Sequence, residues 1–189
     1  MKKPAIAILP LLCALSLMSC MNIKLISDYD PIIDRGITEF AEQFNTHVKN
    51  MGDLAGTPDG TFNANVKTYN ALESKLDVMI SRASIDAAGS NCKLEQQTYE
   101  RIQSVLKDNI PAALQSSNTA SSGNASGCNT QLLQLVKEQL SFIKQIHRET
   151  DKCGEKQLSC LRPATAKTAL DIANQSINAA AMIEAAKKP

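Results

Sequence analysis

Apolar side chains recur at intervals of three or four residues along five stretches of this chain. This spacing places them on one face of an α-helix, whereas a half-buried strand would alternate apolar and polar residues. Runs of β-branched residues are absent, and Gly and Pro cluster instead of recurring at strand-and-turn intervals. We therefore predict an all-α fold, a bundle of four or five amphipathic helices. The predicted helices span about Pro31–Gly52, Phe62–Ala88, Cys92–Asn109 and Asn129–Lys152, with the last beginning at Pro163.

Each predicted helix presents a stripe of apolar side chains to the core. The stripes are Ile33, Ile37, Phe40, Phe44 and Met51, with Val48 at the edge; Phe62, Val66, Tyr69, Leu72, Leu76, Met79, Ile80 and Ala83; Leu94, Tyr99, Ile102, Val105 and Leu106; Leu132, Leu133, Val136, Leu140, Ile143 and Ile146; and Ala166, Leu170, Ala173, Ile177, Ala180 and Ala181. Asp30 is expected to cap the first helix, because its carboxylate can accept hydrogen bonds from free amides and Pro31 has no N–H to satisfy. Residues 116–127 are rich in Ser and Asn and predict a mobile loop.

The first residues of the chain have the pattern of an export signal. Lys2 and Lys3 are followed by an apolar run from Ala5 to Leu17. A membrane-spanning helix needs about 20 apolar residues, so this run is too short to span and predicts a cleaved signal peptide.

The run ends in Leu17-Met18-Ser19-Cys20, which resembles the lipobox of bacterial lipoproteins. The resemblance implies cleavage before Cys20, acylation of Cys20 with fatty acids such as palmitate, and attachment to membrane lipid. Met21 stands where an Asp would favour retention at the inner membrane, so the resemblance implies the outer membrane, with the domain facing the periplasm. The alternative is an ordinary secretory signal with Cys20 as an incidental thiol. Residues 24–30 followed by a long helix also resemble the opening of a group of uncharacterised bacterial lipoproteins, which implies no activity.

The resulting organisation is a signal peptide over residues 1–19, a lipidated tether over 20–30 and one helical domain over 31–189. Lys and Arg total 20 and Asp and Glu total 19, so removing Lys2 and Lys3 leaves 18 against 19. A mature chain with a net charge near −1 lacks the basic excess with which proteins displace counterions from nucleic acid. We therefore expect no nucleic-acid partner.

Four cysteines remain after Cys13 leaves with the leader and Cys20 is acylated, which predicts two disulfides in an exported chain. Their Cα atoms must approach within about 7 Å, yet the predicted fourth helix separates Cys128 from Cys153 by roughly 35 Å. We therefore pair Cys92 with Cys128 and Cys153 with Cys160. The first bond would make the third and fourth helices run roughly parallel. Zinc is disfavoured, because its cysteine ligands usually come in close C-x2-4-C pairs.

Few residues suggest chemistry. His47 falls within the first apolar stripe and His147 lies beside Ile146, four residues before Asp151. We interpret His47 as a boundary residue and His147 with Asp151 as a hydrogen-bonded pair rather than as metal ligands. Asp28, Asp30 and Asp34 begin like a calcium loop, but Ile32 and Ile33 occupy its third-ligand and glycine positions, which favours helix capping or recognition of the tether instead. No metal, catalytic residue or cofactor is predicted, since neither G-x-S-x-G, H-E-x-x-H nor a Gly-rich phosphate loop occurs.

The sequence thus favours a lipid-anchored accessory or interaction protein of the cell envelope that is not an enzyme and that binds an envelope protein. The alternative is a periplasmic small-ligand or metal-binding sensor or carrier, which would require a histidine facing an enclosed cavity with carboxylates. A hydrolase is a third candidate, and it would require a nucleophile and a base close together.

Overall fold

A computed structural model describes residues 28–86, 93–109 and 129–188 of the chain. The described part is mostly helical, which confirms the predicted all-α class. Its elements, in chain order, are α1 (Pro31–Asp53), α2 (Phe62–Asp86), α3 (Lys93–Asn109), α4 (Thr130–Gln145), a π-helical turn (Ile146–Thr150), β1 (Lys152–Cys153), β2 (Leu158–Ser159) and α5 (Pro163–Ala186).

The start of α1 follows the predicted capping chemistry. Asp30 has extended backbone angles, and its Oδ1 accepts a hydrogen bond of 2.8 Å from the Ile32 N–H. Its Oδ2 accepts a second bond from Arg82 of α2. The cap therefore also fixes the beginning of α1 against the end of α2.

Four of the helices form a closed ring in the order α1, α2, α4, α5, and α3 packs against α4 and α5. Neighbours in the ring are antiparallel. Glu39 of α1 is ion-paired with Lys75 of α2, while Asp30 meets Arg82. Lys137 and Lys144 of α4 are ion-paired with Asp77 and Glu73 of α2, again in reversed order. Between α4 and α5, Asn129 bonds to Glu184 and Gln139 bonds to Ser176, which is also an antiparallel register.

This up-and-down arrangement gives the bundle two distinct ends. We call the end that carries Asp30, Asn129 and Lys188 the base. The opposite end, formed by residues 54–61 and 151–161, is called the tip. Because α1 has 23 residues, base and tip are separated by about 34 Å.

The core between the helices is aliphatic with a few aromatic rings. Every predicted stripe residue of the first and fourth helices is buried. Tyr69, Leu72 and Leu76 of α2 are almost completely inaccessible, and small residues line the buried face of α5. Ala166, Ala173 and Ala180 are buried, and α5 approaches α1 closely at Ala166, whose side chain would lie 3.3 Å from a Cβ added to Gly52.

Two predictions about individual helices are wrong. Val105 was expected on the buried face of α3, but its side chain is 42% exposed, because α3 contacts only one side of the ring. The fourth helix was expected to remain α-helical to Lys152, but its α-helical part ends at Gln145. The chain then widens into a π-helical turn, in which the Asp151 N–H bonds to the Ile146 carbonyl, and Lys152 begins β1.

Candidate functional site

The tip is built around a small hairpin that a disulfide closes. Strands β1 and β2 are antiparallel, with Lys152 opposite Ser159 and Cys153 opposite Leu158. Cys153 and Cys160 are disulfide-bonded with Cα atoms 5.9 Å apart, which confirms the predicted pairing. Cys92 and Cys128, the other predicted pair, lie outside the described residues, as does Cys20.

Two glycines let the hairpin pack directly on the loop between α1 and α2. Gly56 and Gly154 have positive φ angles of +88° and +71°. Residues other than glycine rarely adopt this backbone conformation. A Cβ added to Gly154 would lie 3.3 Å from the Gly56 carbonyl oxygen. Ser159 reinforces the contact, because its Oγ accepts a hydrogen bond of 3.1 Å from the Phe62 N–H.

Asp151 closes the neck of the hairpin. Its carbonyl accepts a hydrogen bond of 3.2 Å from the Cys160 N–H. Its carboxylate accepts one of 3.1 Å from the Arg162 N–H and lies 3.7 Å from the Arg162 guanidinium. The carbonyl and carboxylate of Asp151 therefore bond to Cys160 and Arg162 at the neck of the hairpin. The predicted hydrogen bond between His147 and Asp151 is wrong.

His147 instead connects three elements beneath the tip. The side chain is completely buried. Its Nε2 lies 2.9 Å from the Gly60 carbonyl oxygen, and its Nδ1 lies 2.9 Å from the Tyr69 hydroxyl. A carbonyl oxygen only accepts, so Nε2 carries the proton; in the neutral ring Nδ1 then accepts from Tyr69. Burial lowers the pKa of His147, which favours this neutral form.

His47 lies next to this network. Its ring contacts the Tyr69 ring edge-on, with centroids 4.6 Å apart. Only 6% of the residue is exposed, and its Nε2 has no hydrogen-bond partner among the described residues. The interpretation of His47 as a boundary residue is therefore wrong. Burial, with a smaller contribution from His147, lowers the pKa of His47 to about 4.

These rings form a tie between the tip and the bundle. Phe62 stacks against Tyr69 and meets His147 edge-on, so aromatic contacts surround the hydrogen bonds. Both nitrogens of His147 are occupied, which leaves neither free to take a substrate proton or to bind a metal ion. The cluster fixes the Gly60 loop and is neutral near pH 7.

Sequence reasoning missed Tyr69 and Gly60 as partners of His147. From the sequence, Tyr69 was predicted only as a member of the apolar stripe of the second helix. A buried tyrosine hydroxyl requires a hydrogen-bond partner, and this requirement was the one available signal. It could not name the partner, because Tyr69 and His147 are 78 residues apart.

The acidic group near Asp28 is bound into the base. The Tyr29 hydroxyl donates a hydrogen bond of 2.9 Å to Asp34, and Lys188 is ion-paired with the same carboxylate at 2.9 Å. Lys188 and Tyr29 lower the pKa of Asp34. With Asp30 serving as the helix cap, Asp30 and Asp34 have structural roles. The entering chain is thereby fixed to both α1 and the end of α5.

A buried polar cluster joins α4 and α5 at the base. Glu184 is fully buried and accepts hydrogen bonds from Asn129 at 2.5 Å and Lys187 at 2.7 Å. Glu184 Oε2, Asn129 Oδ1 and Thr130 Oγ1 have no hydrogen-bond partner among the described residues. Lys187 balances the charge of the Glu184 carboxylate. We therefore interpret this cluster as specific polar packing between α4 and α5.

Within residues 28–86, 93–109 and 129–188, no three His, Cys, Asp or Glu side chains come together in a group that could hold a metal ion. None of the helices in the described part of the chain is long and apolar enough to cross a membrane. The chain matches no protein-family model, and neither a curated protein nor a solved structure matches it.

Proposed function

We propose that this protein is a lipid-anchored accessory or interaction protein of the bacterial cell envelope, acylated at Cys20 and without catalytic activity. One observation carries the proposal. The chain enters the bundle at the base, about 34 Å from the disulfide-closed tip. An anchor attached before the base would leave the tip free to meet a partner protein, with the outer membrane as the proposed location and the domain facing the periplasm.

The tip has properties that suit a protein partner. Lys152, Glu155 and Lys156 are exposed on the hairpin, and they present both charge signs within a short segment. Mixed charges provide specificity and orientation more than raw affinity. The disulfide and the His147 tie hold the hairpin in place, so little conformational entropy would be lost on binding.

The second disulfide belongs to the same proposal. We expect Cys92 to pair with Cys128, because Cys128 immediately precedes Asn129 at the base, whereas Cys153 lies at the tip. Such a bond would hold the starts of α3 and α4 together and make these helices roughly parallel. Peptide mapping of the unreduced protein should recover a Cys92–Cys128 peptide; free thiols at both positions would contradict the pairing.

The alternative of a ligand or metal sensor gains no support from the histidines. Both nitrogens of His147 bond within the protein, and the buried Nε2 of His47 has no carboxylate in hydrogen-bond range among the described residues. The arrangement therefore favours the interaction protein.

Crosslinking from the tip tests the proposed function. A photoreactive residue at Lys156 in the Cys20-anchored protein should give one specific adduct with an envelope protein in native membranes. The matched control carries the same residue at Gln134, which is exposed on α4 away from the tip, and should not form that adduct. Recovery of phospholipid alone from the Lys156 position would contradict a partner at the tip.

A further inference from the structure

Three large aliphatic side chains are exposed on one side of the bundle near the base. Ile32 of α1 is 55% exposed, while Val78 and Ile85 of α2 are 65% and 73% exposed. Val78 and Ile85 are seven residues apart and therefore lie on the same face of α2. We call these three residues the seam patch, because they flank the contact between α1 and α2.

The register of α1 against α2 places the three side chains in the same part of the bundle. Asp30 contacts Arg82, a Cβ on Gly36 would meet Met79, and Glu39 is ion-paired with Lys75. This antiparallel register places Ile32 level with Arg82, between Val78 and Ile85. Large exposed aliphatic side chains grouped in this way mark an interaction site more often than scattered ones do.

Basic side chains border the patch. Arg35 lies one helical turn after Ile32 and is exposed. Arg82 lies one turn before Ile85 with 43% of its side chain exposed, and its charge is paired with the carboxylate of Asp30. The neighbouring acids Glu39 and Asp77 are ion-paired with Lys75 and Lys137. An aliphatic surface edged by arginines suits a bilayer interface, where apolar groups enter the acyl region and guanidinium groups meet phosphates.

The tether limits how far this surface can lie from the bilayer. Eight peptide units connect Cys20 to Asp28, and fully extended they span about 28 Å. Asp30 is fixed to Arg82 at the edge of the patch, so an acylated Cys20 keeps Ile32 and Ile85 within reach of the membrane. The anchor thereby raises the effective concentration of lipid at the patch.

We propose that the seam patch rests on the membrane, with Ile32, Val78 and Ile85 against the acyl chains and Arg35 at the lipid phosphates. This inference rests on the proposed acylation of Cys20. The bundle then lies tilted on its α1–α2 side, and the tip projects away from the bilayer at an angle.

Tryptophan fluorescence tests the contact directly, because the chain has no tryptophan of its own. Mature protein acylated at Cys20 and carrying Ile85→Trp is reconstituted in vesicles of phosphatidylethanolamine and phosphatidylglycerol, with or without brominated acyl chains. We expect a blue-shifted emission that loses most of its intensity in brominated vesicles. The matched control, Glu155→Trp on the tip hairpin, should keep its emission, and Val78→Trp provides a second patch position.

Flotation of the vesicles separates the two proposals. Protein that fails to float contradicts the acylation of Cys20. Protein that floats while the tryptophans at residues 78 and 85 stay unquenched overturns the membrane contact. A crosslinked dimer through the patch would likewise overturn it, because a second copy would then cover these side chains.

Discussion

His147 illustrates how a buried polar side chain in this bundle is satisfied. Its two nitrogens meet one donor and one acceptor, Tyr69 and Gly60, so the ring has a single favourable tautomer. His47, which contacts the same Tyr69 ring, has a buried nitrogen without a partner among the described residues. The hydrogen bonds of His147 stabilise the fold, whereas the unpaired nitrogen of His47 costs free energy, and each effect can be tested separately.

Removing the Tyr69 hydroxyl should destabilise the fold. In Tyr69→Phe, the buried Nδ1 of His147 loses its donor, and we expect a loss of about 1 to 3 kcal/mol in the free energy of unfolding. The control is Tyr99→Phe, because Tyr99 is only half-buried and its hydroxyl bonds to Gln103 on the same helix. Urea denaturation measures both variants, and equal losses would contradict the role of the His147 tie.

His47 should make the fold sensitive to acid. Above its ordinary pKa of 6.5 the ring is neutral in both the folded and the unfolded chain. As the pH falls from 6.5 towards 4, the unfolded chain takes up a proton that the folded chain excludes, so the free energy of unfolding decreases. The loss is about 3 kcal/mol and levels off below the folded pKa.

The variant His47→Leu removes this proton and the unpartnered nitrogen together. We expect the free energy of unfolding to fall less between pH 7 and pH 4 than in the wild type, with a remaining slope from His147 in the same direction. Urea denaturation at the two pH values gives the comparison. Parallel pH dependences for variant and wild type would show that His47 is not the group responsible.

At the level of single elements, periodicity predicted the helices and local chemistry predicted their starts. Asp30 and Pro31 begin α1 as expected, and the stripe from Ile33 to Met51 is buried, because these features depend on neighbours in sequence. The sequence did not predict where α4 ends, because the π-helical turn that follows it depends on residues distant in sequence. Tyr69 and Gly60 bond to His147 within that turn and keep its side chain buried. Val105 was misplaced because the sequence does not indicate that α3 packs on one side only.

The tip hairpin should depend on its disulfide more than the helices do. For Cys153→Ala with Cys160→Ala, opening this short loop should lower the free energy of unfolding by about 2 to 3 kcal/mol, on the chain-entropy estimate. Hydrogen exchange should show the earliest loss of protection in residues 151–161, with α1 and α4 still protected. Unchanged stability after the double substitution would contradict a closing role for this bond.

For the whole molecule, the antiparallel ring determines what each end can do. The chain enters at the base, where Tyr29, Asp34 and Lys188 hold it, and the hairpin closes the tip. The sequence predicted the helices and the Cys153–Cys160 bond, but the position of the tip relative to the entering chain required the packing of all four ring helices. The His147 tie could not be predicted from the sequence either, because its contacts connect α2, the Gly60 loop and the end of α4.

Acylation at Cys20 underlies the proposed function, the location and the membrane contact of the seam patch. Metabolic labelling with a radioactive fatty acid, in cells that produce the wild type or Cys20→Ser, measures it directly. We predict label in the wild-type protein and none in the variant. Equal labelling of both proteins, or of neither, would contradict the lipid anchor.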